Sequence, residues 1–255
     1  MAYTEHQILL FFLILVRMTS LFLAAPVFSS RSVPMMFKIG MGGLISFLIF
    51  PVVEPNTPEI ALDWLQVLVV VFAEIFTGVM IGFVLSFLFV GIEIAGEYIG
   101  LDMGFSMVQE IDPTFNQPLS VIARLKTNMA MLIFLLLDGH HYLIEALAYS
   151  YRTVPVGGWQ LSSLAVQRIM QISAEVFVIG IKVAAPAVVT LFLTSVAMGI
   201  IARAVPQMNI FFVGIPLRML AGFSALIFGM PLFLYVFQKL LEQFENNITY
   251  ILQVM

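Results

Sequence analysis

Long apolar runs constrain the fold of this chain more than any other feature of its sequence. A helix needs ~20 apolar residues to cross the ~30 Å hydrocarbon core of a bilayer. Six stretches meet or approach that length: 8–28, 35–53, 66–92, 129–148, 173–202 and 209–238. They are continuous rather than alternating, which argues against the strand pattern of an outer-membrane barrel. The sequence therefore predicts an all-α, membrane-associated protein.

Composition excludes several other classes of protein. Hydrophobic residues make up 61% of the 255 residues and charged residues only 10%, whereas soluble domains are ~45–50% apolar and ~25% charged. A soluble fold of this size could not cover so much apolar surface. Eleven Lys and Arg against 15 acidic residues leave no basic excess for nucleic acid. Cysteine is absent, so disulfides and Cys-ligated metals are excluded.

Charged residues inside the apolar stretches are the main anomaly of the sequence. Eight of them lie in or at the ends of the predicted spans: Arg17, Lys38, Glu74, Asp138, Glu145, Glu175, Lys182 and Arg218. Each would cost ~2.5–3.5 kcal/mol or more at a bilayer centre. Several must therefore face protein, one another or water. Glu175 and Lys182, two turns apart on one helix face, are one candidate pair, while a water-lined path remains the other interpretation.

The segment 96–128 differs from the rest of the chain. Gly96, Gly100 and Gly104 recur every four residues and predict a smooth helix face that another backbone can approach closely. Beyond them, Pro113 and Pro118 interrupt an otherwise apolar stretch. Irregular backbone at membrane depth occurs only when it is buried in protein or lines a cavity. We expect a re-entrant or plugging loop over 104–120, and the alternative is an ordinary surface loop.

Candidate catalytic and metal-binding patterns are weak. Asp138-Gly-His140-His141 with Glu145 lacks the H-E-x-x-H spacing, and neighbouring histidines point in different directions on a helix. Gly104-Phe105-Ser106 and Gly222-Phe223-Ser224 resemble the G-x-S of intramembrane proteases but lack an activating base. No phosphate-binding loop is present in the sequence. We expect no enzymatic activity, no cofactor and no metal.

Several motifs together resemble one family. They are Gly199–Leu217 (GIIARAVPQMNIFFVGIPL), Gly96–Phe105 (GEYIGLDMGF), Ala25–Phe28 followed by Val33-Pro34 and Lys38, and Asn128–Tyr151 followed by Pro155. In this order and spacing they resemble the FliR family of the flagellar type III protein export gate. The resemblance covers nearly the whole chain, and virulence secretion systems carry a similar component.

This resemblance implies more than composition can. Residues 1–165 would be a FliP-like helical part with a plug loop at about 105–120, and residues 166–255 a FliQ-like helical hairpin. The chain would be a subunit of a protein-conducting pore in the bacterial inner membrane, within the flagellar basal body, that exports unfolded flagellar proteins. Its expected partners are FliP-like and FliQ-like gate subunits and FlhB-like and FlhA-like export components.

The same resemblance, together with the glycine spacing described above, assigns roles to particular residues. The expected plug consists of Phe105, Ser106, Met107, Val108, Gln109, Glu110, Ile111, Asp112, Pro113, Thr114, Phe115 and Asn116. The expected packing face is Gly96, Gly100 and Gly104, and the expected corner of the C-terminal hairpin is Arg203, Pro206, Gln207 and Asn209. The alternative function is a polytopic secondary transporter of a small solute, because Pro186 and Pro216 could mark broken helices.

Overall fold

The computed structural model of the chain describes residues 5–29, 34–53, 64–105, 120–160, 162–207 and 209–255. Within these ranges the chain is helical and contains no strand, which agrees with the predicted all-α class. The helices are α1 (Glu5–Ala24), α2 (Pro26–Ser29), α3 (Met35–Val53), α4 (Trp64–Met103), α5 (Val121–Leu136), α6 (Gly139–Thr153), α7 (Ser163–Ala204), α8 (Ile210–Phe228) and α9 (Met230–Val254).

Four of these helices, α1, α3, α4 and α7, are long and apolar enough to cross a bilayer, and α8 with α9 forms a further candidate bent by 56°. Helices α4 and α7 contain 40 and 42 residues. At 1.5 Å per residue they are about 60 Å long, twice the thickness of a bilayer core. Length and composition thus support a membrane protein whose longest helices extend beyond the hydrocarbon layer or tilt strongly within it.

One predicted span is wrong. Residues 129–148 do not form a single helix, because the chain breaks at Asp138, which has a left-handed backbone with φ of 56°. The N–H of Leu137 closes α5 on the carbonyl of Ile133 at 2.9 Å, and α6 begins at Gly139. Aspartate tolerates the left-handed conformation better than most residues. The two resulting helices have 16 and 15 residues, and each is too short to span.

The contacts divide the chain into two compact units that each draw on distant parts of the sequence. Unit one consists of Met1–Phe87, Asp138–Ser173 and Leu241–Met255, and unit two of Leu88–Leu137 and Ala174–Leu240. The long helices α4, α7 and α9 therefore contribute to both units. The resemblance implies a different division, at 165/166, between a FliP-like and a FliQ-like part. That division is based on similarity to other proteins and not on contacts within this chain, and it stays a prediction.

Glycines bring helices together inside each unit. In unit one, a Cβ at Gly78 would collide with the backbone carbonyl of Arg17. In unit two, a Cβ at Gly91 would come within 2.7 Å of Ile179, and one at Gly180 within 2.8 Å of Ile94. Helix α4 therefore packs closely against α1 in the first unit and against α7 in the second, as small residues allow in membrane proteins.

Candidate functional site at the base of segment 106–119

The chain leaves α4 through a well-defined helix end. Gly104 has φ of +88°, a left-handed conformation that glycine adopts without a steric penalty. Its N–H donates to the carbonyl of Leu101 at 3.0 Å, and the N–H of Phe105 donates to the carbonyl of Gly100 at 3.1 Å. This pair of hydrogen bonds is the Schellman motif, which satisfies carbonyls left free at a helix C-terminus. Gly104 thus ends the helix and fixes the direction in which the segment departs.

On the other side of the segment, hydrogen bonds hold Ser120 at the start of α5. The Ser120 side chain is the N-cap of α5 and accepts from the N–H of Ala123 at 3.1 Å. The N–H of Ser120 itself donates to Glu97 Oε1 at 2.6 Å, across to α4. A cap of this kind contributes ~1 kcal/mol, and the bond to a carboxylate is of the stronger, charge-assisted kind.

Both ends of the segment meet on one turn of α4. A Cβ at Gly100 would lie 2.6 Å from Ser120 Oγ, and Gly100 is also the residue whose carbonyl binds Phe105. One turn earlier, a Cβ at Gly96 would collide with the backbone of Ala123. Gly96 and Gly100 therefore let the start of α5 lie directly on α4. We call Gly96, Glu97, Gly100, Phe105 and Ser120 the base of the segment.

Helix α8 packs against the same end of α4. Met103 is fully buried, and its side chain occupies the space that a Cβ at Gly222 would need, with its closest atoms at 2.6 Å. The Phe105 ring meets the Phe223 ring edge-on, with centroids 6.3 Å apart. A Cβ added at Gly104 would lie 4.0 Å from the Ile215 side chain. The base is thus held between α5 and α8.

Sequence reasoning missed part of this arrangement. It did not assign Glu97, Met103, Ser120 or Gly222 to this arrangement, although Ser120 directly before an apolar helix is a recognisable N-cap signal. Glu97 and Gly222 carried no such local signal, because their roles depend on contacts with residues far along the chain.

The predicted plug residues fall on both sides of the described boundary. Phe105 belongs to the base, whereas the predicted residues 106–116 lie outside the described residues. The predicted corner residues Arg203, Pro206, Gln207 and Asn209 lie at the end of α7 and in its connection to α8, and all four are exposed. Their roles stay predictions.

A buried ion pair in unit one accounts for two of the anomalous charges. Arg17 and Glu74 are both fully buried. Arg17 Nε donates to Glu74 Oε2 at 2.6 Å and its Nη2 donates to Oε1 at 2.8 Å, which is a bidentate pair. The remaining guanidinium hydrogens reach Ser150 Oγ at 2.9 Å and the Val154 carbonyl at 3.2 Å. The Gly157 N–H donates to Glu74 Oε1 at 3.0 Å.

Both charged groups of this cluster are hydrogen-bonded, as buried charges must be. The Arg17 guanidinium also lies 4.0 Å from the centre of the Tyr151 ring. Burial raises the pKa of Tyr151 well above its ordinary value, although the nearby Arg17 opposes that shift. The cluster joins α1, α4, α6 and the chain after α6, so it holds unit one together and offers no accessible reactive group.

The pairing suggested for Glu175 and Lys182 is not present. Both side chains are exposed, and no ion pair joins them in the part of the chain that the structure describes. Another lysine, Lys126, was not among the predicted anomalous charges, yet it is only 6% exposed. Burial lowers the pKa of Lys126 to about 8. Its described contact is with the face of the Phe233 ring, 3.9 Å from the ammonium nitrogen.

The histidine cluster is closer than the sequence suggested. The rings of His140 and His141 lie with centroids 4.3 Å apart, so the expectation that they diverge is wrong. Both histidines lie in the first turn of α6, where the N–H of His141 donates to the carbonyl of Asp138 at 2.8 Å. Asp138, His140 and His141 place one ligand atom each within 4.8 Å of one another, which makes them the group among the described residues that could share a metal ion.

Fold and site together define an all-α membrane protein in which Phe105 and Ser120, the described residues on either side of segment 106–119, both lie against a glycine-lined face of α4. The sequence profile of the bacterial export proteins, family 1, matches residues 8–244. The chain belongs to this family. The predicted family resemblance is thereby confirmed.

Individual relatives agree with that assignment. The chain is 34% identical to the flagellar biosynthetic protein FliR of Escherichia coli over 241 residues, covering 93% of this chain and 90% of the relative. It is 35% identical to the FliR of Pectobacterium carotovorum over 225 residues, covering 87% and 84%. It is 30% identical to the FliR of Bacillus subtilis over 230 residues, covering 89% and 88%.

Proposed function

We propose that this chain is a subunit of the flagellar type III export gate in the bacterial inner membrane, within the flagellar basal body. There it would form part of the pore through which unfolded flagellar proteins leave the cytoplasm. Family membership and the names of its relatives support an export role in flagellar biosynthesis. The long apolar helices support a location in a membrane. A small-solute transporter, the alternative function, gains no support from the family membership.

The segment 106–116 acts as the plug of this pore in our proposal. The observation that carries it is the closed base, in which Phe105 and Ser120 both contact Gly100. A segment whose ends are fixed at one point can occlude a lumen and move aside without rearranging the helices around it. The base therefore fits a gating element better than a simple connection between two helices.

The proposed partners are FliP-like and FliQ-like gate subunits, with FlhB-like and FlhA-like export components. The surface of the single chain supports neighbours of this kind, since large apolar side chains such as Phe212 and Phe228 are 82% and 84% exposed. Arg203, Pro206, Gln207 and Asn209 would contact a neighbouring subunit at the corner between α7 and α8. In the same proposal, residues 1–165 correspond to a FliP-like part and 166–255 to a FliQ-like hairpin.

A deletion of residues 106–116 tests the plug. Because Phe105 and Ser120 both lie at Gly100, the three residues 117–119 can join them, since each extended residue spans ~3.5 Å. We expect the assembled complex with this deletion to conduct ions when reconstituted in vesicles, while the complex with the intact chain stays closed.

A second variant separates the side chains from the length of the segment. Replacing 106–116 with a Gly/Ser stretch of equal length keeps the connection but removes the apolar side chains, so we expect it to leak as well. Co-purification of each variant with the other gate proteins shows that assembly is intact. Unchanged ion conductance in a correctly assembled complex with the deletion would refute the plug.

A further inference from the structure

A largely apolar groove of about 280 Å³ opens on unit two, with walls from α4, α5, α7, α8 and α9. Six of its lining residues matter here: Lys126, Lys182, Pro186, Phe223, Ile227 and Met230. The groove is distinct from the base of the segment, although Phe223 touches both. Its two charged lining residues are both lysines.

Lys126 has no counter-charge among the residues that the structure describes. Its side chain is only 6% exposed, and among the described residues no carboxylate lies within ion-pair distance and no acceptor binds its ammonium group. A buried ammonium without a partner is costly unless something else supplies one. The Phe233 ring face, 3.9 Å away, gives partial compensation. Lys182, on the facing helix, adds a second positive charge at the same groove and is also unpaired within the described ranges.

The position of Lys182 along α7 indicates its depth in a membrane. Residues 183–202 contain no charge, and Arg203 follows them. Twenty helical residues extend about 30 Å, which equals the hydrocarbon thickness of a bilayer. Lys182 and Arg203 would then lie at the two interfaces, where Lys and Arg are commonly found. Pro186, one turn after Lys182, lies on the hydrocarbon side of that interface.

We propose that the groove binds an anionic phospholipid, with its phosphate between Lys126 and Lys182 and one acyl chain along Pro186, Ile227 and Met230. The lysines supply the complementary charge at headgroup depth, and the apolar walls continue toward the hydrocarbon. Basic pockets between membrane helices bind anionic headgroups in this way.

Native mass spectrometry on the full chain in mild detergent tests the proposal. The probes are phosphatidylglycerol and phosphatidylcholine with identical acyl chains, so only the headgroup charge differs. We expect phosphatidylglycerol to be retained preferentially by the unaltered chain. Lys126→Met and Lys182→Met should each reduce that preference about fivefold, the usual contribution of one lysine near an anionic surface.

Lys38→Met is the matched control, because Lys38 lies on α3 in unit one and its loss removes the same charge. It should leave the preference unchanged, and thermal unfolding checks that all three variants fold. Equal retention of the two lipids by the unaltered chain would overturn the proposal, as would an equal effect of Lys38→Met. Cross-linking of Lys126 to a carboxylate of another subunit in the intact membrane complex would also overturn it. The proposal does not depend on the plug, so the two can fail separately.

Discussion

The ion pair between Arg17 and Glu74 permits a quantitative prediction about stability. Glu74→Gln keeps the shape of the side chain and leaves an oxygen that can still accept from Gly157. It removes the negative charge that Arg17 meets through two hydrogen bonds of 2.6 and 2.8 Å. Because Arg17 is fully buried, its charge would then meet only neutral groups: Ser150 Oγ, the Val154 carbonyl, the Tyr151 ring and the amide oxygen of the new side chain.

Breaking one side of a buried pair costs ~3–5 kcal/mol. For a chain of this size, 1 kcal/mol corresponds to ~2–4 °C, so we expect Glu74→Gln to lower the melting temperature by about 6–20 °C. Arg17→Met should cost less, since a buried carboxyl group without its partner can take up a proton. The double variant Arg17→Met/Glu74→Gln should recover much of the loss, because it leaves no uncompensated charge in the core.

The assay is thermal unfolding of the full chain in detergent, followed by tryptophan fluorescence. Trp159 stacks on Phe76 in unit one, with ring centroids 5.1 Å apart, so its emission reports on the unit that contains the ion pair. A melting temperature for Glu74→Gln within about 2 °C of the unaltered chain would refute the estimate, which rests on the cost of an unpaired buried charge. A double variant whose loss equals the sum of the two single losses would refute the coupling between the two residues.

Two further predictions concern unit two. Gly96→Ala should destabilise the chain by about 1–3 kcal/mol, because the added Cβ would collide with the backbone of Ala123. The control is Gly40→Ala, whose added Cβ meets nothing within 4 Å. In thermal unfolding this control should be neutral or should stabilise the chain by up to about 1 kcal/mol. Lys126 has a folded pKa of about 8 against ~10.4 when unfolded, so the unfolded chain binds more protons between these values and stability should rise with pH across that window, by up to about 3 kcal/mol. The other charged residue that lines the groove of Lys126 is Lys182. Melting curves at pH 7 and 9.5 measure the dependence, which should be lost in Lys126→Met. An unchanged pH dependence in Lys126→Met would contradict the argument about Lys126, and an equal loss of stability in Gly96→Ala and Gly40→Ala would contradict the argument about Gly96.

Charges in apolar runs illustrate how far sequence reasoning reached. It predicted that several such charges must face protein, and Arg17 and Glu74 do. It could not name this pair, because the two residues are 57 positions apart and on different helices. Glu175 and Lys182 were suggested because their separation suits one helix face, but a shared face does not bring two exposed side chains into contact.

The segment between α4 and α5 gives a similar lesson. The four-residue spacing of its glycines predicted a close approach, and Gly96 and Gly100 each leave space for the start of α5. Gly104 has a different part in the structure, since its positive φ ends the helix. Spacing alone could not distinguish the two, because both packing and helix termination favour the residue without a side chain.

The sequence by itself determined that the chain is helical, belongs in a membrane and resembles one family of export proteins, because long apolar runs and ordered motifs are local properties. Only the tertiary structure decided that the run 129–148 breaks at Asp138, that Arg17 meets Glu74 and that Lys126 is buried, with no counter-charge in the described ranges. These features depend on which helices lie side by side. The free energy of a charge or a glycine depends on its neighbours in space, and one-dimensional spacing does not contain them.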